Sequence, residues 1–193
     1  TATGTTTVTV TAEPEVPVEN TAVIIYEAYG GGGNSGAYYR YDYIILYNTT
    51  DAAIDLSTYS VQYTSATGTT WSKTDLTGSI AAHSYYVIQE ASGSNTAAAN
   101  LPVTPDCIGS IAMGSSGFKL ALVSSQTVIT GTGIDDPSVV DYLGCGSATT
   151  FEGTAAAAAP SNTTSVKRVS FIDNDENSTD FAAGAIDLSY LTA

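Results

Sequence analysis

The sequence predicts an all-β domain of sandwich type, and three observations predict it. Period-2 alternation and β-branched residues dominate from end to end. No long stretch carries the i, i+3, i+4 apolar pattern of an amphipathic helix. Short clusters of Gly, Asn, Ser and Pro separate the apolar runs at the spacing a sandwich requires. In order, strands are expected near Val23 to Tyr29, Tyr39 to Tyr47, Tyr59 to Thr64, Tyr85 to Glu90, Phe118 to Ser124, Thr127 to Thr130, Val139 to Leu143 and Ser165 to Phe171. Gly30 to Gly33 with Asn34, Ser35 and Gly36 lacks the following Lys-Ser/Thr pair of a phosphate loop and reads as a flexible inter-strand connection. Ala155 to Ala159 consists of good helix formers but spans little more than one turn before Pro160, so a loop is expected there.

With 193 residues, one principal core is expected. Residues 1–20 differ from the rest. Thr5 to Thr11 form a strand-like tract with Val8 and Val10 alternating against Thr, and Glu13-Pro14-Glu15-Val16-Pro17 reads as an extended linker. Such a segment makes no core alone, and a Thr-rich terminus is ordered only when tied to a sheet. The expected organisation is therefore an N-terminal strand and linker over 1–20, serving as a donor strand, followed by the sandwich over 21–193.

Charged residues are only 12% of the chain, against roughly 25% in an average domain. Thr, Ser, Gly, Asn and 13 Tyr must cover the surface instead, a composition that suits a secreted or cell-surface protein. A net charge of -14 repels phosphate backbones and anionic lipid, which argues against nucleic acid as a partner. No apolar run reaches the length of a membrane-spanning helix, so membrane insertion is not expected. No signal segment opens the chain, and secretion would place Thr1 after a removed leader. Cys107 and Cys145 are too far apart for a C-x-x-C redox pair and too few for a zinc site beside a single His. A disulfide between them is the expectation, worth about 4 kcal/mol in the chain-entropy model. The alternative is two separate buried thiols.

Several consecutive segments together resemble the lamin-tail domain in its prokaryotic extracellular form. They are Val23-Ile24-Ile25-Tyr26-Glu27-Ala28-Tyr29 with the glycine loop, Asp42-Tyr43-Ile44-Ile45-Leu46-Tyr47-Asn48, Asp55-Leu56-Ser57-Thr58-Tyr59 continuing to Tyr63, Gly78-Ser79-Ile80, and Tyr85-Tyr86-Val87-Ile88. Lys119 to Val123, Val139 to Gly144, Asp173 to Asn177 and Asp180-Phe181 complete the match, which covers most of 21–182. The resemblance implies an immunoglobulin-like β-sandwich found on secreted or surface proteins of prokaryotes, sometimes attached to hydrolases, with no catalytic residues to carry over. Where the family usually has Glu in the third segment this chain has Ile45, and the two Cys are atypical. An apolar residue there suggests a face buried by another subunit.

The tract around Asp173, Asp175, Asn177 and Asp180 sets oxygen ligands at alternate positions, which suits calcium, the one cofactor the sequence admits. The alternative is an acidic turn whose side chains bond their own backbone. His83 beside Ser84 lacks a G-x-S-x-G elbow and reads as a surface histidine. Asp135, Asp136 and Glu152 have no spacing that marks a glycosidase pair. Trp71 and the many Tyr could stack on sugars, which admits surface glycans as partners, although strand aromatics more often pack cores. Asn48, Asn162 and Asn177 each open an Asn-x-Ser/Thr glycosylation pattern, short enough to arise by chance in a Thr-rich chain.

The function expected is therefore non-catalytic and extracellular: a homopolymer subunit of a filament or surface layer, joined by strand donation through Thr7, Val8, Thr9 and Val10, with Ile45 as a further contact. The alternative is an accessory binding or adhesion module of a larger secreted or surface-anchored enzyme.

Overall fold

The computed structural model describes residues 21–192. They form a sandwich of two main sheets, as the patterning predicts, and it is immunoglobulin-like, as the family resemblance implies. The elements are β1 (Val23–Tyr29), β2 (Tyr41–Asn48), β3 (Ile54–Asp55), β4 (Ser60–Ser65), β5 (Ser72–Asp75), β6 (Ser79–Ile80), β7 (Tyr85–Ser92), β8 (Cys107–Ile108), β9 (Phe118–Val123), β10 (Val139–Cys145), β11 (Thr164–Arg168), the short helix α1 (Asn177–Asp180) and β12 (Phe181–Ala185). The larger sheet runs β12-β11-β1-β2-β7-β8, the smaller β10-β9-β4-β5, and β3 and β6 form a separate pair. All pairings are antiparallel except β7 with β8.

Side chains alternate across each strand, so Ile25, Ile44, Leu46 and Ile88 from the larger sheet meet Phe118, Leu120, Leu122 and Leu143 from the smaller in one central core. The same alternation sends Tyr43, Ile45 and Val87 to the outer face of the larger sheet. That face is also buried. Ile186, Leu188, Tyr190 and Leu191 from the C-terminal segment, with Leu101 and Val103, pack over it. The outer face of the smaller sheet is covered in turn: Trp71, Ile129 and Ile134 pack on Ala121, Val123 and Tyr142. Burial on both faces explains why β2 reads as the near-continuous apolar run Tyr43-Ile44-Ile45-Leu46-Tyr47. The expected single core is thus a principal core with two satellites.

The expected strand at Val23 to Tyr29 coincides with β1, and five others match strands to within a few residues at their ends. Thr127 to Thr130 is not a strand. The Gln62 side-chain amide stands in for a neighbouring backbone there, donating to the Thr127 carbonyl and accepting from the Ile129 N–H. The expected strand to Phe171 stops at Arg168, where the chain turns. The short β3, β5, β6 and β8 and the terminal β12 are additions, too brief or too poor in branched residues to show a period.

The Gly30 to Gly36 segment is a loop, and both close packing and positive φ require its glycines. A Cβ on Gly32 would collide with the Tyr41 carbonyl carbon, while Gly33 and Gly36 have φ of 60° and 75°. Asp42 holds this loop, accepting the Gly32 N–H with Oδ1 and the Met113 N–H with Oδ2, each at 2.8 Å.

Candidate functional site

The acidic tract after β11 is organised around an arginine. Arg168 ends β11 on the inner side, and its guanidinium is fully buried. Its Nη2 donates to Asp141 Oδ1 at 2.8 Å and Asp173 Oδ1 at 3.1 Å, Nη1 donates to Asp180 Oδ2 at 3.2 Å, and Nε donates to the Ile25 carbonyl at 2.9 Å. The Phe181 ring lies 4.4 Å below the guanidinium carbon. A planar fork with several donors meets three carboxylates better than a lysine could.

These carboxylates are satisfied from their other sides as well. Asp141 accepts the Ile25 N–H at 2.6 Å, Asp173 accepts the Thr21 hydroxyl at 2.8 Å, and Asp180 accepts both the backbone and side-chain N–H of Asn174. Asp141 and Asp173 also come within 4.8 Å of Glu152. Burial, reinforced by the charges of Asp141 and Asp173, pushes Glu152 up to about 9, so it holds a proton at neutral pH. Burial raises Asp141 to about 6, while Arg168 pulls in the opposite direction. The cluster is therefore three acids on one cation, with a neutral fourth acid beside them.

The four expected calcium ligands are not gathered as one set. Asp173 and Asp180 grip Arg168, and Asp175 sits in a left-handed turn with φ of 52°. Asn177 faces the other way. Its Oδ1 accepts the N–H groups of Gly144 and Glu152, and its Nδ2 donates to the Tyr142 carbonyl and to Glu152. The acidic tract is a structural turn of side chains bonded to backbone, built on a cation the protein supplies itself.

Other expected sites are relocated too. Ile45 is fully buried by the chain's own C-terminal segment, not by another subunit. That segment is clamped to the sheet through Glu27, whose carboxylate accepts the hydroxyls of Tyr43 and Tyr190 at 2.6 Å each. Cys107 and Cys145 are free thiols, so the expected disulfide is not formed. They lie on strands of different sheets, β8 and β10, and burial raises both thiols, Cys145 to about 12. Two buried, protonated thiols are inert packing residues.

Of the glycosylation candidates, Asn48 and Asn177 are excluded because both are fully buried. Asn48 Nδ2 donates to the carbonyls of Ala52, Ile80 and Ala81. Asn162 is partly exposed, with its amide bonded to Ser35. His83 lies at the surface against Asp51, and Asp136 caps its own loop through Ser138, so neither joins a catalytic grouping. Thr7, Val8, Thr9 and Val10 lie outside the described residues.

The sequence singled out the acidic tract but not its partners. A signal for Arg168 was present: it is one of five basic residues set against 19 acids, at the end of a strand and just ahead of an acidic run. Asp141 and Glu152 carry no local mark, because their proximity to Arg168 arises from pairing across the sandwich.

Among curated proteins, no relative matches the chain. The Lamin Tail Domain family model matches residues 17–144, more than half of the sequence. The match ends within β10, yet β11 pairs with β1 inside the larger sheet, so the segment after the match is part of the same sandwich. The family is one of immunoglobulin-like modules of binding or structural type and is typically non-catalytic. The chain belongs to the lamin tail domain family.

Proposed function

We propose that this protein is a non-catalytic extracellular structural subunit, assembling with copies of itself into a filament or surface layer by donation of its N-terminal strand. The observation that carries this reading is that the described residues already form a two-sheet sandwich. Among themselves, residues 21–192 form a central core and two satellite cores. A strand-forming tract at Thr5 to Thr11, followed by a Pro-containing linker, is then spare pairing capacity on a finished domain. A head-to-tail contact of this kind does not close on itself and so propagates.

The uncharged, hydroxyl-rich composition supports an extracellular setting, an argument that stands on the surface alone now that the two thiols are unpaired. Electron microscopy of the intact chain beside a version lacking Thr1 to Glu19, at equal concentration, tests the proposal. Regular fibres from the intact chain only are the expected result. Monomeric, folded protein in both samples would leave the accessory-module reading in its place.

A further inference from the structure

Resting on that reading, we infer that the acceptor is the outer edge of β12, which takes residues Thr5 to Thr11 of a second copy. Among the described residues, the other sheet edges are ill suited. β8 is two residues long, and β5 carries Lys73 and Asp75, charges of the kind that discourage edge pairing. On the open side of β10, Tyr142 N–H is taken by Glu152, Gly144 N–H by Asn177, and the Gly144 carbonyl by the Ala157 N–H. β12 has five residues, Phe-Ala-Ala-Gly-Ala, and no charge.

The register fixes which of its backbone groups point outward. The Val169 N–H donates to the Asp180 carbonyl, and the pairing continues through Lys167 with Ala182 and Ser165 with Gly184. Antiparallel bonding alternates, so Ala182 and Gly184 face β11 while Ala183 and Ala185 present N–H and C=O to the outside. An added strand would find two residues' worth of ladder already extended.

The neighbouring surface fits the occupant. A groove of about 330 Å³ beside the edge is lined by Tyr26, Lys167, Val169, Ala182, Gly184 and Ala185. A Cβ on Gly184 would meet nothing within 4 Å, so the small residues leave room for Val8 and Val10. Lys167, one of five basic residues, faces a segment whose charges, Glu13, Glu15 and Glu19, are all negative. The apolar surface also runs on beyond the groove: Val169 is 64% exposed, Phe171 41% and Ile172 52%, with Phe171 stacked on Tyr26. One added strand supplies a single row of side chains, so a surface this broad fits a second copy arriving with its strand.

Two measurements test the inference. In the first, hydrogen exchange is followed on the intact chain, assembled and diluted to monomer. The Ala183 and Ala185 amides are expected to become protected only on assembly, while Ala182 and Gly184 are protected in both states. Protection of Ala183 and Ala185 in the monomer would mean pairing within one chain and overturn the inference.

In the second, Ala183→Pro removes an outward donor without touching the β11 ladder, a position an edge strand tolerates. Its melting temperature should stay near that of the parent, while assembly weakens by about tenfold or more. Gly184→Val, which fills the groove, should weaken assembly likewise. If both variants fold and assemble like the parent while loss of Thr1 to Glu19 abolishes fibres, strand donation stands and the acceptor is elsewhere. If the intact chain never assembles, both readings fall.

Discussion

β10 and β12 each end a sheet, and both lie against the Arg168 cluster, yet the two edges are finished in opposite ways. On β10 the outward backbone groups are taken by Glu152, Asn177 and Ala157, and the two side chains that do most of this are themselves bonded to each other. On β12 the Phe181 N–H is taken by the Asn177 carbonyl, and among the described residues nothing pairs with the outward groups of Ala183 and Ala185. The difference lies in the residues that follow each strand in space. A closed edge needs polar side chains held at fixed positions, which demands a buried network behind them. An open edge needs only small, uncharged residues. Where a domain has spent a network to close one edge, an edge left bare beside exposed apolar residues reads as a contact surface.

The largest effect should come from the cation the network is built on. Arg168→Met keeps the volume and leaves Asp141, Asp173 and Asp180 without a counter-charge, so urea unfolding at neutral pH should show a loss of about 3–5 kcal/mol. Lowering the pH should recover part of that loss as the acids protonate. Asn177→Ala comes next. It strands the Gly144 N–H and Tyr142 carbonyl and should cost about 2–3 kcal/mol, and it would convert β10 into an open edge like β12. New assembly through β10 in this variant, seen by light scattering, would sharpen the contrast.

A smaller effect follows from the proton on Glu152. A carboxyl raised to about 9 in the folded state binds a proton that the unfolded chain releases near its ordinary value of 4.5. Its contribution to stability is therefore full at acid pH and is lost as pH rises toward 9. Asp42, raised by burial to about 7, acts in the same direction lower in that range. Urea midpoints should fall between pH 5 and 9, and Glu152→Gln, which mimics the protonated acid, should flatten the upper part of that fall. An unchanged slope would mean that Glu152 is ionised in the folded protein. The smallest effect is expected from chelation: with Arg168 supplying the positive charge, excess EDTA should leave the melting temperature unmoved, and a marked drop would reinstate calcium as a ligand of the tract.

How much of this was legible in the sequence can be followed through particular residues. β1 and β2 were visible because branched and aromatic side chains mark buried strands directly. β12 was not, because Ala and Gly carry no strand signal, and the smallness that hid it is what opens the groove. Asp173 and Asp180 drew notice as oxygen ligands, but the side they face depends on Arg168, and no spacing rule reveals that. Ile45 stood out against its family, and the suspicion of a buried face was sound in kind. The cover is the chain's own C-terminal segment, about 140 residues later in the sequence, where periodicity has nothing to say.

The sequence by itself determined the all-β class and the distinct character of residues 1–20, because alternation, composition and turn residues are local properties, while the family showed in the likeness of consecutive segments. Tertiary structure alone decided that the cysteines stay apart, that Asn48 and Asn177 are buried, and that one arginine holds three aspartates. It also decided which sheet edges the described residues cover. Each of these depends on which strands become neighbours, and in a sandwich nearly every neighbour comes from far along the chain.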